Sequence, residues 1–358
     1  MATPRLQIDL KKIYHNTRRL VERLGSKGIT VTGVTKVALG SPDIAKAMLR
    51  AGVESIGDSR IENIQKMREA GISAQFILLR TPRISRAGQV VEYADISHNT
   101  ELEVIEKLSK AAQEQSKTHQ IVLMVELGDL REGILPRDLD EIVRQSVGLP
   151  GIHLSGIGTN LACLGGVKPD LQKMTQLSDL AQSLEVKFDM KLETVSGGNS
   201  ANFDWFFSAA DTARINNLRL GESIFLGCET LNRNPIEGLD TDAIALVTEV
   251  IESKVKPSAP SGEIYQSAFG TKPEFPDRGL INHAILGIGR QDVLVSGLTP
   301  LSKGLEVFGA SSDHVVVVSH ERRLQIGEEV SFRLSYGALL AAMTSPYVEK
   351  VYLREGES

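Results

Sequence analysis

Cysteine is nearly absent. The 358-residue chain has only Cys163 and Cys228, far apart, so neither a disulfide framework nor a cysteine zinc site is expected. Long apolar runs are absent too. The opening Met1-Ala2-Thr3-Pro4-Arg5 has no signal core, and no later stretch stays apolar for the roughly 20 residues a bilayer requires. Charge of one sign is not in excess: a formal net charge of −5 gives no reason to expect nucleic acid or a membrane as partner. No internal repeat or low-complexity tract stands out. No His/Cys pair at metal-ligand spacing lies near the C-terminus, so no metal is expected. The rest is a globular composition, 41 % hydrophobic and 24 % charged, long enough for two domains. A cytoplasmic location is the simplest expectation.

What is present is alternation. Asp9 precedes a helical pattern of Ile13, Leu20, Val21 and Leu24, and an apolar strand follows over 29–35. Ser41-Pro42 reads as an N-cap with proline at the first helical position. Thr100 and Glu103 read as a capping box. Further strands fall near 55–57, 75–79, 95–97, 120–127, 152–159, 192–196 and 216–220. Helical patterns separate them, among them 136–147 and 203–210. Eight such units in succession predict a closed parallel (β/α)8 barrel of the TIM type, with an open doubly wound sheet as the alternative. After Asn232-Arg233-Asn234-Pro235 the pattern changes to strands at 243–251, 282–286, 305–308, 314–319 and 329–334. Gly, Pro and Ser clusters separate these strands, and no helix as long as the earlier ones intervenes. The expected division is therefore a barrel over 1–232 and a mainly β domain over 233–358, with a strand near 5–9 able to pack against the latter.

In such a barrel ligands gather where strands run into the following loops. Lys36 ends the first strand, and a lysine there can bond a carbonyl compound such as pyridoxal phosphate; the plain alternative is a solvated or ion-paired lysine. The seventh strand runs into Ser196-Gly197-Gly198-Asn199-Ser200. This segment suits a phosphate by close backbone approach, although Gly-Gly-Asn is also an ordinary turn. Gly221 and Glu222, after the eighth strand, offer further amides. Arg219, on that strand, either pairs with a barrel carboxylate or donates to the pyridine nitrogen. Arg131, in Asp129-Leu130-Arg131-Glu132-Gly133, fits either a substrate-carboxylate clamp or a charged surface loop. Asn160 ends the sixth strand, within reach of a ring substituent, and His98-Asn99 reads as no more than the start of the next helix.

With these residues in view, the chain resembles the pyridoxal-phosphate-dependent alanine racemase family of fold type III over nearly its whole length, and most nearly its ornithine racemase branch. The matching stretches are Val34-Thr35-Lys36-Val37, Gly57-Asp58-Ser59-Arg60, 125–133, 195–200, 218–222, 309–314 and Ser335-Tyr336-Gly337-Ala338-Leu339-Leu340. The resemblance implies an amino-acid racemase in which Lys36 carries the cofactor and acts as one of two bases. Ser200, Gly221 and Glu222 would hold its phosphate, with Ser196, Gly198 and Asn199 in the same loop, Arg219 its ring nitrogen, and Arg131 the substrate carboxylate. It also implies a head-to-tail homodimer, each β domain closing the partner's barrel.

Departures from the pattern are equally informative. The family's tyrosine four residues after the lysine is Gly40 here, its ring-stacking histidine is Asn160, and its Gly-Tyr-x-Asp reads Gly289-Arg290-Gln291-Asp292. Arginine is a poor general base, which leaves Tyr336, His314 or Tyr265 as the second proton-transfer group. Ser311, Ser312 and Asp313, with Asp292, could receive the ammonium of a basic substrate, or both aspartates merely end turns. The expectation is Cα inversion of ornithine or a related basic amino acid. The alternatives are alanine or lysine as substrate, a non-catalytic cofactor carrier, a decarboxylase, or a metal-assisted aldolase.

Overall fold

A first strand, β1 (Arg5–Asp9), leads into helix α1 (Leu10–Gly25), whose Ile13, Leu20 and Leu24 are buried at helical spacing. Strand and helix then alternate. The order is β2 (Thr30–Val34), α2 (Pro42–Arg50), β3 (Ser55–Asp58), α3 (Ile61–Glu69), β4 (Gln75–Leu78), α4 (Ala87–Tyr93), β5 (Ile96–Asn99) and α5 (Leu102–Glu114). It continues with β6 (His119–Val125), α6 (Leu139–Val147), β7 (Ile152–Thr159), α7 (Leu171–Phe188), β8 (Thr194–Ser196), α8 (Phe203–Ser208), β9 (Asn217–Leu220) and α9 (Glu222–Leu226). In this computed structural model, which describes residues 2–270, 272 and 274–354, strands β2 to β9 close into a parallel barrel. The expected TIM-type barrel is what forms, and no helix among the described residues is long and apolar enough to cross a membrane.

Two faces of the barrel wall can be told apart from contacts. Gly33 lies against Met48 of α2, so it faces the helices, and its neighbour Thr32 faces the lumen. Thr32 hydrogen-bonds Ser55 at 2.8 Å and Asn217 at 3.0 Å, and Asn217 bonds Ser196 at 2.7 Å. Gly158 lies beside both Ser196 and Met124, which puts Met124 and, by the period of two, Val122 on the lumen face. His98 pairs with Val122 in register and shares that face. Ile77, Ile96, Val122 and Met124 pack together as an apolar floor.

The second unit comprises Met1–Asp9 and Asp242–Ser358. Its strands are β10 (Ile244–Pro257), β11 (Leu280–Leu286), β12 (Leu298–Pro300), β13 (Leu305–Ala310), β14 (Val315–Ser319) and β15 (Glu329–Leu334), followed by helix α10 (Tyr336–Thr344) and β16 (Glu349–Leu353). They form an eight-stranded sheet in the order β12-β15-β10-β11-β14-β13, with β1 antiparallel to β10 and parallel to β16. Its mainly β character matches the expectation. The long β10 changes partner along its length, pairing β1 and β15 up to Glu249 and β11 from Val250 on, with a register shift in the β11 pairing between Val250 and Glu252.

Several local readings differ. The units divide at Thr241/Asp242, not at 232/233, because Asp240 and Ile236 belong to the barrel unit. The Asp240 backbone N–H donates to Asn16 at 2.7 Å, and the Ile236 N–H to the Gly227 carbonyl. Thr100 and Glu103 form no capping box: Glu101 is the N-cap of α5, and the Thr100 hydroxyl bonds Thr81 at 2.8 Å instead. Ser41 occupies the N-cap of α2 without a side-chain bond. Helix α6 starts at Leu139 rather than 136, since Ile134 pairs back onto Met124 and Glu126. Helix α10, at nine residues, is as long as α2 and lies where no comparable helix was expected.

Candidate active site

Lys36 stands just past the end of β2, opening a short 3-10 turn, Lys36–Ala38. The turn is pinned from behind. Asp58, fully buried at the end of β3, accepts hydrogen bonds from the Thr35 hydroxyl at 2.9 Å, the Arg60 amide at 2.9 Å and the Asn63 amide group at 3.0 Å. Gly40 is required here. Its φ is +60°, and a Cβ would lie 2.7 Å from that of Asn63, so no side chain fits where the family carries tyrosine. By area Lys36 is exposed, because the barrel mouth is open. The surrounding protein nevertheless holds its pKa below the ordinary lysine value; Cys163 and Asp58 oppose the shift, while Arg131 and Arg219 add to it.

Arg219 is 6 % exposed on the lumen face of β9. A buried guanidinium is usually paired with a carboxylate, yet among the described residues no ion pair involves it. Instead Nη1 donates to the Ser196 hydroxyl at 2.6 Å, and Nη2 donates to the Thr159 carbonyl at 2.7 Å and weakly to Asn160 at 3.4 Å. Burial, with Arg131 adding, brings its pKa down to about 10. The salt-bridge alternative for Arg219 is thereby excluded.

The loop after β8 is built for close backbone approach. Gly198 has φ +145°, and a Cβ there would sit 2.2 Å from Asn202 Oδ1, an atom that accepts from the Asn199 amide at 3.0 Å. Asn199 ties this loop to the end of β7, donating to the Leu161 carbonyl at 2.9 Å and to Asn160 at 3.3 Å. Ser200 is buried and accepts from the Ser223 amide at 3.2 Å, which joins the loops after β8 and β9. Gly221 lies against Val34, leaving little room for a side chain. Glu222 is buried and ion-paired with Arg233; burial pushes its pKa up, against the pull of Arg233 and Lys36.

Arg131 reaches the same mouth, since it perturbs both Lys36 and Arg219. Its guanidinium pairs with Glu132 and donates to Cys163 Sγ at 3.1 Å. Asp129, fully buried, accepts from the amides of Cys163, Leu164 and Val167, and so fixes the loop that carries Cys163. The barrel thus gathers Lys36, Arg131, Asn160, Ser196, Ser200 and Arg219 at one end.

Residues 8–228 match the family described as alanine racemase, N-terminal domain. The chain belongs to the alanine racemase family. It is 39 % identical over 353 residues to a lysine racemase of Thermotoga maritima, covering 98 % of this chain and 99 % of that one. It is 40 % identical over 354 residues to an ornithine racemase of Acetoanaerobium sticklandii, with the same coverage. Among solved structures, the alanine racemase of a D-cycloserine-producing Streptomyces lavendulae superposes with a TM-score of 0.76 at 19 % identity, over 99 % of this chain and 98 % of that one. A D-threonine aldolase from Filomicrobium marinum superposes with a TM-score of 0.73 at 15 % identity, over 96 % and 88 %. The fold therefore accommodates more than one reaction, and the site must decide between them.

For this family member the second unit holds the remaining expected residues. Arg290 and Gln291 donate backbone bonds to the Ser311 and Ser312 carbonyls, which brings the two loops side by side. The Arg290 guanidinium stacks 4.3 Å from the Phe269 ring. Asp313 bonds His314 Nδ1 at 2.9 Å and both serine hydroxyls at 3.2 Å; burial would raise its pKa, but these partners bring it down. Tyr336 opens α10, and Tyr265 is 70 % exposed, donating to Glu263. Asp292 lies at the end of the Gly289-Arg290-Gln291-Asp292 stretch. It is 5 % exposed, and its Oδ1 accepts from the Ser345 hydroxyl at 2.7 Å inside its own unit.

Sequence reasoning gives no role at the site to His98, read only as the start of a helix, or to Asp58, named only within a matching stretch. Strand parity could have flagged His98, which follows Ile96 by two and so shares the lumen face. Nothing local marks Asp58, whose role is to hold Thr35 beside Lys36.

Proposed function

We propose that the protein is a pyridoxal-phosphate-dependent racemase of basic amino acids, ornithine or lysine, that inverts Cα with two bases. The observation that carries this reading is Lys36 and a buried, carboxylate-free Arg219 at one barrel mouth, joined by a glycine-bearing loop. The residues present fit the cofactor. The fit lies in the chemistry of the donor set; the Asn160 Nδ2 atom is sealed without a partner, so Asn160 offers the ring packing rather than a hydrogen bond. The Ser200 hydroxyl and the Gly221 and Glu222 amides suit a phosphate, and an always-charged Arg219 suits a ring nitrogen kept unprotonated. Ser196, Gly198 and Asn199 position these groups. The near-full-length likeness to lysine and ornithine racemases supports the substrate class.

When bound, the cofactor supplies the electron sink that makes the Cα hydrogen acidic. Lys36 Nζ, its pKa lowered chiefly by burial, takes or returns that proton on one face; such acid–base help contributes roughly 10²–10⁴-fold. Arg131 orients the substrate carboxylate. The opposite face is served by a β-unit group, Tyr336 or His314, from a second copy in a head-to-tail homodimer. That copy's Ser311, Ser312 and Asp313 receive the side-chain ammonium. A cytoplasmic location is part of the same reading.

The test is incubation with single L-amino acids in D2O. The expected result is deuterium at Cα and the D-enantiomer of ornithine or lysine, without release of CO2. Absence of exchange with every amino acid tried would leave a cofactor carrier, and CO2 release would mean a decarboxylase.

A further inference from the structure

Two histidines on adjacent barrel strands are buried, and they are treated differently. His119, at the start of β6, is 2 % exposed and satisfied: Nε2 bonds the Ser97 hydroxyl at 2.8 Å, and the ring also bonds the Ala94 backbone. It is an ordinary core histidine. His98, on β5, is 3 % exposed, yet among the described residues no group hydrogen-bonds either ring nitrogen. Neither nitrogen is walled off among the sealed polar atoms that lack a partner, so open lumen reaches the ring. Leaving a buried polar group unmatched costs roughly 1–3 kcal/mol, so such a group calls for a partner of another kind.

Its surroundings narrow what that partner can be. Burial, with Arg219 and Arg131 adding, holds the ring neutral far below the ordinary histidine pKa. A neutral imidazole keeps one N–H to donate at any working pH. In the closed ring of strands β5 stands four places from β9, directly across the lumen from the Gly221 and Glu222 amides. A pyridoxal phosphate held by its phosphate near β8 and β9 would turn the opposite edge of its ring toward β5. That edge carries the 2-methyl and the 3-oxygen, and only the oxygen can accept a hydrogen bond. Arg131, the other donor on this side, is assigned to the substrate carboxylate.

We infer that His98 is a positioning residue that donates a hydrogen bond to the 3-oxygen of pyridoxal phosphate. This inference rests on the reading above that the mouth holds that cofactor. The ring sets the tilt of the heterocycle over Arg219, so that the ring nitrogen and the carbon facing Lys36 are placed together.

The test is equilibrium binding to the full-chain apoprotein of pyridoxal phosphate and of its 3-deoxy analogue, which lacks only the oxygen. His98→Phe is expected to weaken pyridoxal phosphate about ten-fold or more and to leave the analogue unchanged, while His98→Gln, which keeps an N–H, recovers most of the loss. Apoprotein melting of both variants guards against a folding defect. Should the Phe ring prevent folding, His98→Leu replaces it in the same comparison. Equal losses for both ligands overturn the inference alone. Failure of the unaltered protein to bind either ligand overturns the cofactor reading with it.

Discussion

Replacing Arg219 with methionine separates a structural cation from a functional one. Its pKa of about 10 means that the buried charge carries a penalty of about 3 kcal/mol on the folded state. The sign follows from the shift. The folded value lies below the unfolded one, so the penalty applies throughout the range below pH 10. It is released only as pH rises through the interval above. Against it stand two good charge-assisted bonds, to Ser196 at 2.6 Å and to the Thr159 carbonyl at 2.7 Å, each contributing roughly 1.5–3 kcal/mol. In the variant Ser196 keeps Asn217 as partner, and only the Thr159 carbonyl is stranded.

These opposing contributions nearly cancel. Arg219→Met should therefore change apoprotein stability by no more than about 2 kcal/mol, a shift of roughly 4–8 °C at most for a unit of this size. Turnover should fall at least about 100-fold, the usual cost of removing a preorganised charged donor. The assay is apoprotein melting beside racemisation of ornithine and lysine. An apoprotein that loses cooperative folding, or a variant that keeps its turnover, would refute the argument that this charge serves the ligand rather than the fold.

Reduction of the loaded protein with borohydride should fix the cofactor on the peptide containing Lys36, as read by mass spectrometry; Lys36→Ala should lose both the label and turnover. In the apoprotein, the pH dependence of Lys36 acylation should show a midpoint below the usual ~10.4. In Arg131→Met that midpoint should move up, because a neighbouring cation that lowers it has gone. Asp129→Asn should cost about 2 kcal/mol by denaturant unfolding near neutral pH. Burial alone would raise the Asp129 pKa, but the Leu164, Cys163 and Val167 amides hold it below the ordinary value. Its contribution is therefore present above the unfolded carboxylate pKa and fades as pH falls through the folded one, and the asparagine variant should lack that acid limb.

The barrel was legible because its signal is repeated. Each apolar strand and amphipathic helix is a weak cue, but eight in order leave few topologies, and the lumen face follows from a period of two. The strand-end residues Lys36, Asn160, Ser200 and Arg219 followed from that frame, since a closed parallel barrel turns its strand ends toward one mouth. What escaped depends on contacts between distant segments. Asp58 gives no sign that it will hold Thr35, and Asp292 gives none that it will bond Ser345. Cap chemistry failed for a similar reason: the Thr100 hydroxyl found Thr81, nineteen positions away, before it found its own helix. Helix α10 and strands β12 and β16 are short and lack strong periodicity, so only pairing within the sheet defines them.

The charge balance of the mouth gives the cofactor reading its physical sense. Lys36, Arg131 and Arg219 crowd together closely enough that each guanidinium depresses the lysine, and Arg131 depresses Arg219. The nearest carboxylates relieve little of this. Asp58 is held behind the wall by Thr35, Arg60 and Asn63 and acts on Lys36 only through space, Glu222 is engaged by Arg233, and Glu132 pairs with Arg131 and reaches Arg219 only through space. A fold gains nothing from burying the Arg219 guanidinium without a carboxylate, and it could replace Arg219 by an apolar residue at little cost. The arrangement becomes favourable once anions arrive, and the proposed reaction brings two: the phosphate ester of the cofactor and the carboxylate of the amino acid. Burial first, and this crowding in addition, pushes the Lys36 pKa down toward what a base needs and the His98 pKa well down, as suits a neutral donor to a phenolic oxygen.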